Sequence, residues 1–211
     1  MRRLARSGDI ALRSLLVFLA AVATEARAEA TPETSATVTG YYYVMRDQPD
    51  FGVGVASFNR GPLHLEARYN YEAHNATSLF AGWRFSGGEA VTFEATPIVG
   101  TLFGSTRAFV PGLEASVAYR AFDAYVEAEY VRNRDDSSAS YYYAWTELGW
   151  SPAQWLRIGL VAQHTKTVDT GRDLQRGAFV QLIWGKATFS LYGFNPDSAR
   201  RYAIVSLGAE F

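Results

Sequence analysis

Acidic and basic side chains recur at alternate positions within otherwise apolar segments of this chain. Glu66 and Arg68 are two residues apart, and so are Glu127 and Glu129. Because successive side chains of a β-strand point to opposite faces, each pair lies on one face of a predicted strand. A wall of such residues either attracts cations into an aqueous space or forms internal ion pairs that fill that space. The sequence alone leaves both alternatives open.

The candidate wall residues share the polar face of a predicted strand whose other face is apolar. We predict that the following residues line an interior: Glu66, Arg68, Arg84, Glu94, Glu114, Arg120, Glu127, Glu129, Glu147 and Arg157. With Glu72 and Glu210, the same face carries eight glutamates against four arginines. An acidic wall predicts a mild preference for cations in any water-filled path.

The elements that carry these residues follow a hairpin rhythm. Twelve strands are predicted, at 37–45, 51–59, 63–73, 78–86, 90–97, 109–119, 123–132, 141–150, 155–165, 177–184, 187–193 and 201–211. Their connections alternate between tight turns, often with Gly or Pro, and longer polar loops. Pro97 and Pro111 lack the backbone donor that a strand ladder needs, so we predict a bulge or fraying there. Residues 98–108 are then predicted to form the largest outer loop.

The final predicted strand, RYAIVSLGAEF, has an apolar face that ends in Phe211. Such a strand with a terminal aromatic residue resembles the closing strand of bacterial outer-membrane β-barrel proteins. The resemblance implies an all-β fold, a single closed antiparallel transmembrane β-barrel of about twelve strands. It also implies a place in the outer membrane of a Gram-negative cell, with the lipid bilayer and the outer-membrane assembly machinery as partners. Phe211 is expected to belong to the assembly signal.

The first residues are predicted to be a cleaved signal peptide. Arginines precede the apolar run LLVFLAAVA, and the small-x-small sequence ARA ends at Ala28. We therefore predict a signal peptide at 1–28 that directs export through the Sec pathway, a short segment at 29–36 and the barrel at 37–211. The leader takes five of the 20 basic and two of the 21 acidic residues, which leaves 15 against 19 and excludes a nucleic-acid partner.

Aromatic residues near the predicted strand ends are expected to anchor both membrane interfaces. The tyrosines near the longer loops are Tyr42, Tyr71, Tyr130 and Tyr142, and the tryptophans near the tight turns are Trp83, Trp150, Trp155 and Trp184. The tyrosine triplets at 41–43 and 141–143 are either part of such a girdle, which we favour, or a sugar-stacking platform.

The sequence indicates transport more strongly than catalysis. Some outer-membrane phospholipases carry a His and a Ser two residues apart, but Glu66, Ala76 and Lys166 follow the three histidines at that spacing. With no Cys and no recognised ligand spacing, we predict no catalytic residue, no metal site and no cofactor. The predicted function is a small porin-like channel for small polar solutes. The alternatives are an outer-membrane lipid-modifying enzyme and a plugged structural or surface-interaction barrel.

Overall fold

The computed structural model describes residues 33–167 and 172–211, and the fold in these residues is a single antiparallel sheet. Its strands are β1 (Thr34–Met45), β2 (Phe51–Arg60), β3 (Leu63–Tyr69), β4 (Ala76–Trp83), β5 (Phe85–Gly88), β6 (Val91–Gly104), β7 (Ala108–Tyr119), β8 (Phe122–Asn133), β9 (Tyr141–Ala153), β10 (Leu156–Thr167), β11 (Arg172–Trp184), β12 (Ala187–Phe194) and β13 (Tyr202–Glu210). The predicted signal peptide lies outside the described residues.

The sheet closes on itself as a barrel of twelve strands. Except for β4 with β5, each strand pairs with its neighbour in sequence, and β13 returns to pair with β1 along Thr37–Met45. β4 and β5 both pair with β6 in one continuous register, interrupted only around Arg84, so they form a single barrel strand. A closed barrel satisfies the backbone hydrogen bonds of every strand and leaves no free edge. The predicted strand number and closure are confirmed.

The two prolines interrupt the ladder without ending the strands. Pro97 pairs with Leu113 in β7, while its side facing β4 and β5 is broken. On the other side of this break, Arg84 N donates to Pro62 O at 2.7 Å and extends the ladder between β3 and β4. Pro111 likewise pairs with β6 but leaves a gap toward β8, after which the same register resumes. Because each missing donor faces a gap, β6 continues to Gly104. The prediction of a large outer loop at 98–108 is therefore wrong, since only residues 105–107 connect β6 to β7.

The faces of the strands alternate as the sequence predicts. Leu63, Leu65 and Leu113 are exposed on the outside, whereas His64, Arg68 and the two glutamates of β8 are buried inside. The interior also holds two apolar clusters, around Phe80 and Leu102 and around Trp145 and Phe194, which the sequence does not predict. Among the described residues, no helix is long and apolar enough to span a membrane.

Tight turns lie at the barrel end that carries the last strand's C-terminus. Residues 61–62, 89–90, 120–121, 154–155 and 185–186 make these turns, and Gly61 and Gly185 adopt positive φ angles of 56° and 60° there. The longest described connections, 134–140 and 195–201, lie at the opposite end. Short turns at one end and longer loops at the other are typical of outer-membrane barrels.

One glycine is required by close packing inside the wall. A Cβ atom at Gly159 of β10 would lie 2.1 Å from the Leu148 carbonyl oxygen and 2.8 Å from the Phe179 ring. Phe179 lies directly opposite Gly159 in the ladder and covers the space that a side chain would need. Gly54 on β2 differs, because a Cβ atom added there would have no neighbouring atom within 4 Å.

We expect Gly159→Ala to lower the free energy of unfolding by about 1–3 kcal/mol, because the overpacked wall must shift. Gly54→Ala is the matched control and should change it by less than about 0.5 kcal/mol. Urea unfolding of the folded protein in detergent micelles measures both values. Equal midpoints for the two variants would contradict the described packing around Phe179.

Candidate functional site

The barrel interior gathers most of the predicted wall residues. The structure places the following predicted residues on the inner face or at the inner rim: Glu66, Arg68, Arg84, Glu94, Glu114, Glu127, Glu129, Glu147 and Arg157. Alternation on β3, β7, β8, β9 and β10 is what turns them inward. Asp123 of β8 and Glu72 of the 70–75 loop join them. The sequence analysis does not include Asp123 among the wall residues, because this residue lies at the very start of its predicted strand.

Arg68 is the centre of the largest ionic network. Its Nη1 atom donates to Glu129 at 2.7 Å and to Glu127 at 3.1 Å, both on β8. Its Nη2 atom donates to Glu114 of β7 at 3.3 Å, and Nη1 lies 3.4 Å from Glu72. Its Nε atom also donates to Glu66 on the same strand. One guanidinium group thus crosses the interior between β3 and β8.

The charges in this network do not balance. The Arg68 side chain is only 1% exposed and meets five carboxyl groups. Burial of one cation among several acids stabilises the cation but leaves the acids in excess. The guanidinium group also lies over the rings of Tyr71 and Phe80, 4.7 and 4.5 Å from their centroids. The interior therefore holds more carboxyl groups than basic groups around Arg68.

A second ionic group lies nearer the tight-turn end, where Arg157 of β10 bridges to two other strands. Its Nη1 atom is 2.7 Å from Glu147 and its Nη2 atom is 2.5 Å from Asp123. Trp145 Nε1 also donates to Glu147 at 3.0 Å. This group again has more carboxylates than guanidinium groups, and Arg84 forms a separate 2.6 Å pair with Glu94.

Two predicted placements are wrong. Arg120 does not lie on the wall, because it has a φ of 56° in the tight turn after β7 and its side chain packs over the outward Tyr119 ring at 5.1 Å. Tyr71 is not an interface residue, because β3 ends at Tyr69 and the chain turns at Asn70, whose φ is 63°. The strand alternation therefore stops before Tyr71, whose ring lies inside the barrel.

The tyrosine triplets are split between the two faces. Tyr42 and Tyr142 are exposed on the outside, whereas the first and third residue of each triplet point inward. The inward aromatic residues that narrow the barrel are Tyr41, Tyr43, Tyr71, Tyr125, Tyr141, Tyr143, Trp145 and Tyr192. Their rings and hydroxyl groups face the carboxylates and make the interior both aromatic and acidic.

Three cavities follow one another along the interior. A cavity of about 280 Å³ lies beside His64, Glu66 and Arg68, and one of about 200 Å³ lies among the central tyrosines. A third, of about 310 Å³, lies beside Glu72 and Glu129 toward the longer loops. Tyr71 lines all three cavities. Each is large enough for several water molecules, since a water occupies about 30 Å³ of liquid.

Exterior aromatic residues lie at both barrel ends. Trp83, Trp150, Trp155 and Trp184 are exposed near the tight turns. Tyr42 and Tyr142 are exposed near the loops, and Tyr130 packs on Tyr142 at 4.5 Å between ring centroids. Tyr69, which is 52% exposed, is the outward aromatic residue of β3 in place of Tyr71. We propose these residues as the two interface girdles.

Tryptophan fluorescence tests the girdle at the tight-turn end. In proteins that keep a single tryptophan, Trp83 and Trp184 should be quenched best by lipid probes near the headgroups, because they flank the turns on the outside. Trp145 is the internal control, since it is 8% exposed and faces the barrel interior. Strong quenching of Trp83 by probes at the bilayer centre would refute the proposed depth.

Phe211 lies beside the seam that closes the barrel. Its backbone N–H donates to Ala36 O at 2.9 Å, and its carbonyl accepts from Ala36 N at 3.4 Å. The side chain is 68% exposed on the exterior. A part for this residue in assembly stays a prediction.

Comparison with known proteins identifies solved structures with a similar fold. No protein-family model matches the sequence, and no curated protein is significantly similar to it in sequence. Among solved structures, the chain is similar to the KdgM porin in complex with disordered oligogalacturonate, with a TM-score of 0.65 and 12% identity. A second structure of the KdgM porin gives a TM-score of 0.64 and 13% identity. Each match covers 83% of this chain and 99% of the other. The resemblance to outer-membrane β-barrels is therefore confirmed at the level of the fold.

Proposed function

We propose that this protein is an outer-membrane channel for small polar solutes with a mild preference for cations. The observation that carries the proposal is the row of interior cavities whose charged wall is predominantly acidic. Around Arg68 alone, one guanidinium group faces five carboxyl groups. A low-dielectric wall strengthens the field of such a surplus and raises the local concentration of cations.

The membrane setting is part of the same proposal. An apolar exterior belt with aromatic residues at both ends fits a lipid bilayer, and the fold supports an outer-membrane location. Export through the Sec pathway and insertion by the outer-membrane assembly machinery would bring the protein there.

The proposed solutes differ in charge from the ligand named for the structural neighbour. Oligogalacturonate, bound by the KdgM porin, is an oligomer of sugar acids and is anionic. In this chain the acids around Arg68 and Arg157 outnumber the basic groups, so an anionic oligomer would meet repulsion. We therefore propose neutral and cationic small molecules as the solutes.

A plugged barrel is the second candidate, and the Arg68 network favours it. The bridge from β3 to Glu127 and Glu129 of β8 crosses the interior, and the Tyr71 ring lines all three cavities. If the bridge is permanent, the same residues are a structural core. An open channel lets solutes pass, whereas a plugged barrel does not.

Swelling of protein-loaded liposomes separates them. In isosmotic solutions, we expect lysinium to enter faster than glutamate, which has a similar size and the opposite charge, with empty liposomes as the background. A neutral amino acid such as glycine should enter readily. No swelling above background with any of the three solutes would support the plugged barrel, and faster entry of glutamate would reject the proposed charge preference.

A further inference from the structure

One buried histidine has an unpartnered nitrogen inside the barrel. His64 of β3 is 6% exposed, and its Nδ1 atom lies 2.8 Å from Asn59 Oδ1 on β2. An amide oxygen only accepts hydrogen bonds, so this contact places the ring proton on Nδ1. The Nε2 atom then carries a lone pair, and it has no hydrogen-bond partner among the described residues.

Two carboxyl groups lie close to this ring. Ligand atoms of His64, Glu66 and Glu114 all lie within 4.8 Å of one another. Glu114 comes from β7, so the barrel brings together residues that are far apart in sequence. Glu114 uses both of its oxygens: Oε1 accepts from Arg68 at 3.3 Å, while Oε2 lies 3.9 Å from His64 Nε2.

We propose that His64, Glu66 and Glu114 bind a divalent transition-metal cation such as Zn²⁺ inside the barrel. Zinc binds imidazole nitrogen and carboxylate oxygen at about 2.0–2.2 Å, so one ion spans a gap of up to about 4 Å between two ligand atoms. The 3.9 Å separation between Nε2 and Oε2 is therefore within reach of one ion. The three ligand atoms, which lie within 4.8 Å of one another, would come close enough through small rotations of the glutamate side chains.

The surroundings fit a metal site in two further ways. A metal-bound histidine usually donates its other ring N–H to an acceptor, which is the arrangement that Asn59 provides. The site also faces the 280 Å³ cavity, which gives an ion and its remaining water ligands room. The surplus of carboxylates around Arg68 adds a favourable field for a cation.

The nitrogen ligand decides the class of metal. Mg²⁺ and Ca²⁺ prefer sites made of oxygen alone, whereas imidazole suits zinc, copper and nickel. The spacing of His64, Glu66 and Glu114 in the sequence matches no recognised metal-binding pattern, so the sequence analysis predicts no metal site. The inference concerns binding only and does not depend on whether the interior conducts solutes.

Zn²⁺ binding to the folded, detergent-solubilised barrel tests the proposal by equilibrium dialysis and metal analysis. We expect one Zn²⁺ per chain, with affinity reduced by about tenfold or more in His64→Gln and in Glu114→Gln. Asn59→Ala, which removes only the Nδ1 acceptor, should weaken binding by about 10–100-fold. His74→Gln is the matched control, because His74 lies exposed in a loop, and it should bind as the unaltered protein does.

The fold of each variant is checked by its different gel mobility before and after boiling. A second measurement is the rise in melting temperature on adding Zn²⁺. This rise should occur in the unaltered protein and in His74→Gln, and it should be lost in Glu114→Gln. The Glu114→Gln variant keeps the test decisive if His64→Gln folds poorly. Absence of Zn²⁺ binding by the unaltered barrel, or unchanged affinity in a folded Glu114→Gln variant, would overturn the proposal.

Discussion

Arg68→Ala is expected to lower the free energy of unfolding by about 3–5 kcal/mol, the cost of breaking a buried ionic network by removing one partner. The substitution leaves Glu66, Glu72, Glu114 and the two glutamates of β8 without their shared cation. Their mutual repulsion inside a low-dielectric barrel is then uncompensated. Denaturant unfolding of the protein in micelles measures the change.

Two further variants make this test specific. Arg107→Ala removes an exposed arginine that pairs with Asp135 in the loops, and it should change stability little because solvent screens that pair. Arg68→Lys keeps the charge but not the planar group that reaches several acids at once, so it should restore stability only in part. Equal stability of Arg68→Ala and Arg107→Ala would contradict the central role of the network.

The double substitution Glu127→Gln and Glu129→Gln is expected to reduce substantially the cation preference that we propose for the channel. It replaces two carboxyl groups of the wall by amides, while Arg68 keeps Glu66, Glu72 and Glu114 as partners. The preference of the unaltered protein should also weaken between 0.1 M and 1 M salt, as the Debye length falls from about 10 Å to about 3 Å.

The matched control is the double substitution Asp47→Asn and Asp197→Asn, which changes two acidic residues outside the barrel interior. Both aspartates lie in connections at the longer-loop end, so the control removes the same two charges outside the narrow interior. The ratio of K⁺ to Cl⁻ permeability should fall more in the interior variant than in the loop variant. An equal fall in both would assign the selectivity to the channel mouth.

The fold follows from local patterns in the sequence. Alternation alone correctly assigns the outward leucines of β3 and the inward glutamates of β8, because successive side chains of a barrel strand point outward and inward in turn. The same alternation in 201–211 places Tyr202 and Ser206 inside and Leu207 outside, as the structure shows. Turn chemistry then separates the two ends of the barrel.

The contents of the interior do not follow from such patterns. The sequence cannot show that Asn70 turns the chain and brings Tyr71 inside, or that Arg120 leaves the wall in a tight turn. Both depend on where a strand ends, the least certain part of a prediction from sequence. The meeting of Arg68 with Glu127 and Glu129 depends on barrel closure, which joins residues about 60 positions apart.

The most direct test of an open, acidic interior is a planar-bilayer recording of the purified protein under a tenfold KCl gradient. We predict discrete conductance steps and a reversal potential displaced from zero toward the cation limit, which is about 59 mV for perfect selectivity of a monovalent ion at this gradient. A reversal potential on the anion side, or a bilayer that shows no conductance steps with correctly folded protein inserted, would contradict the proposed channel.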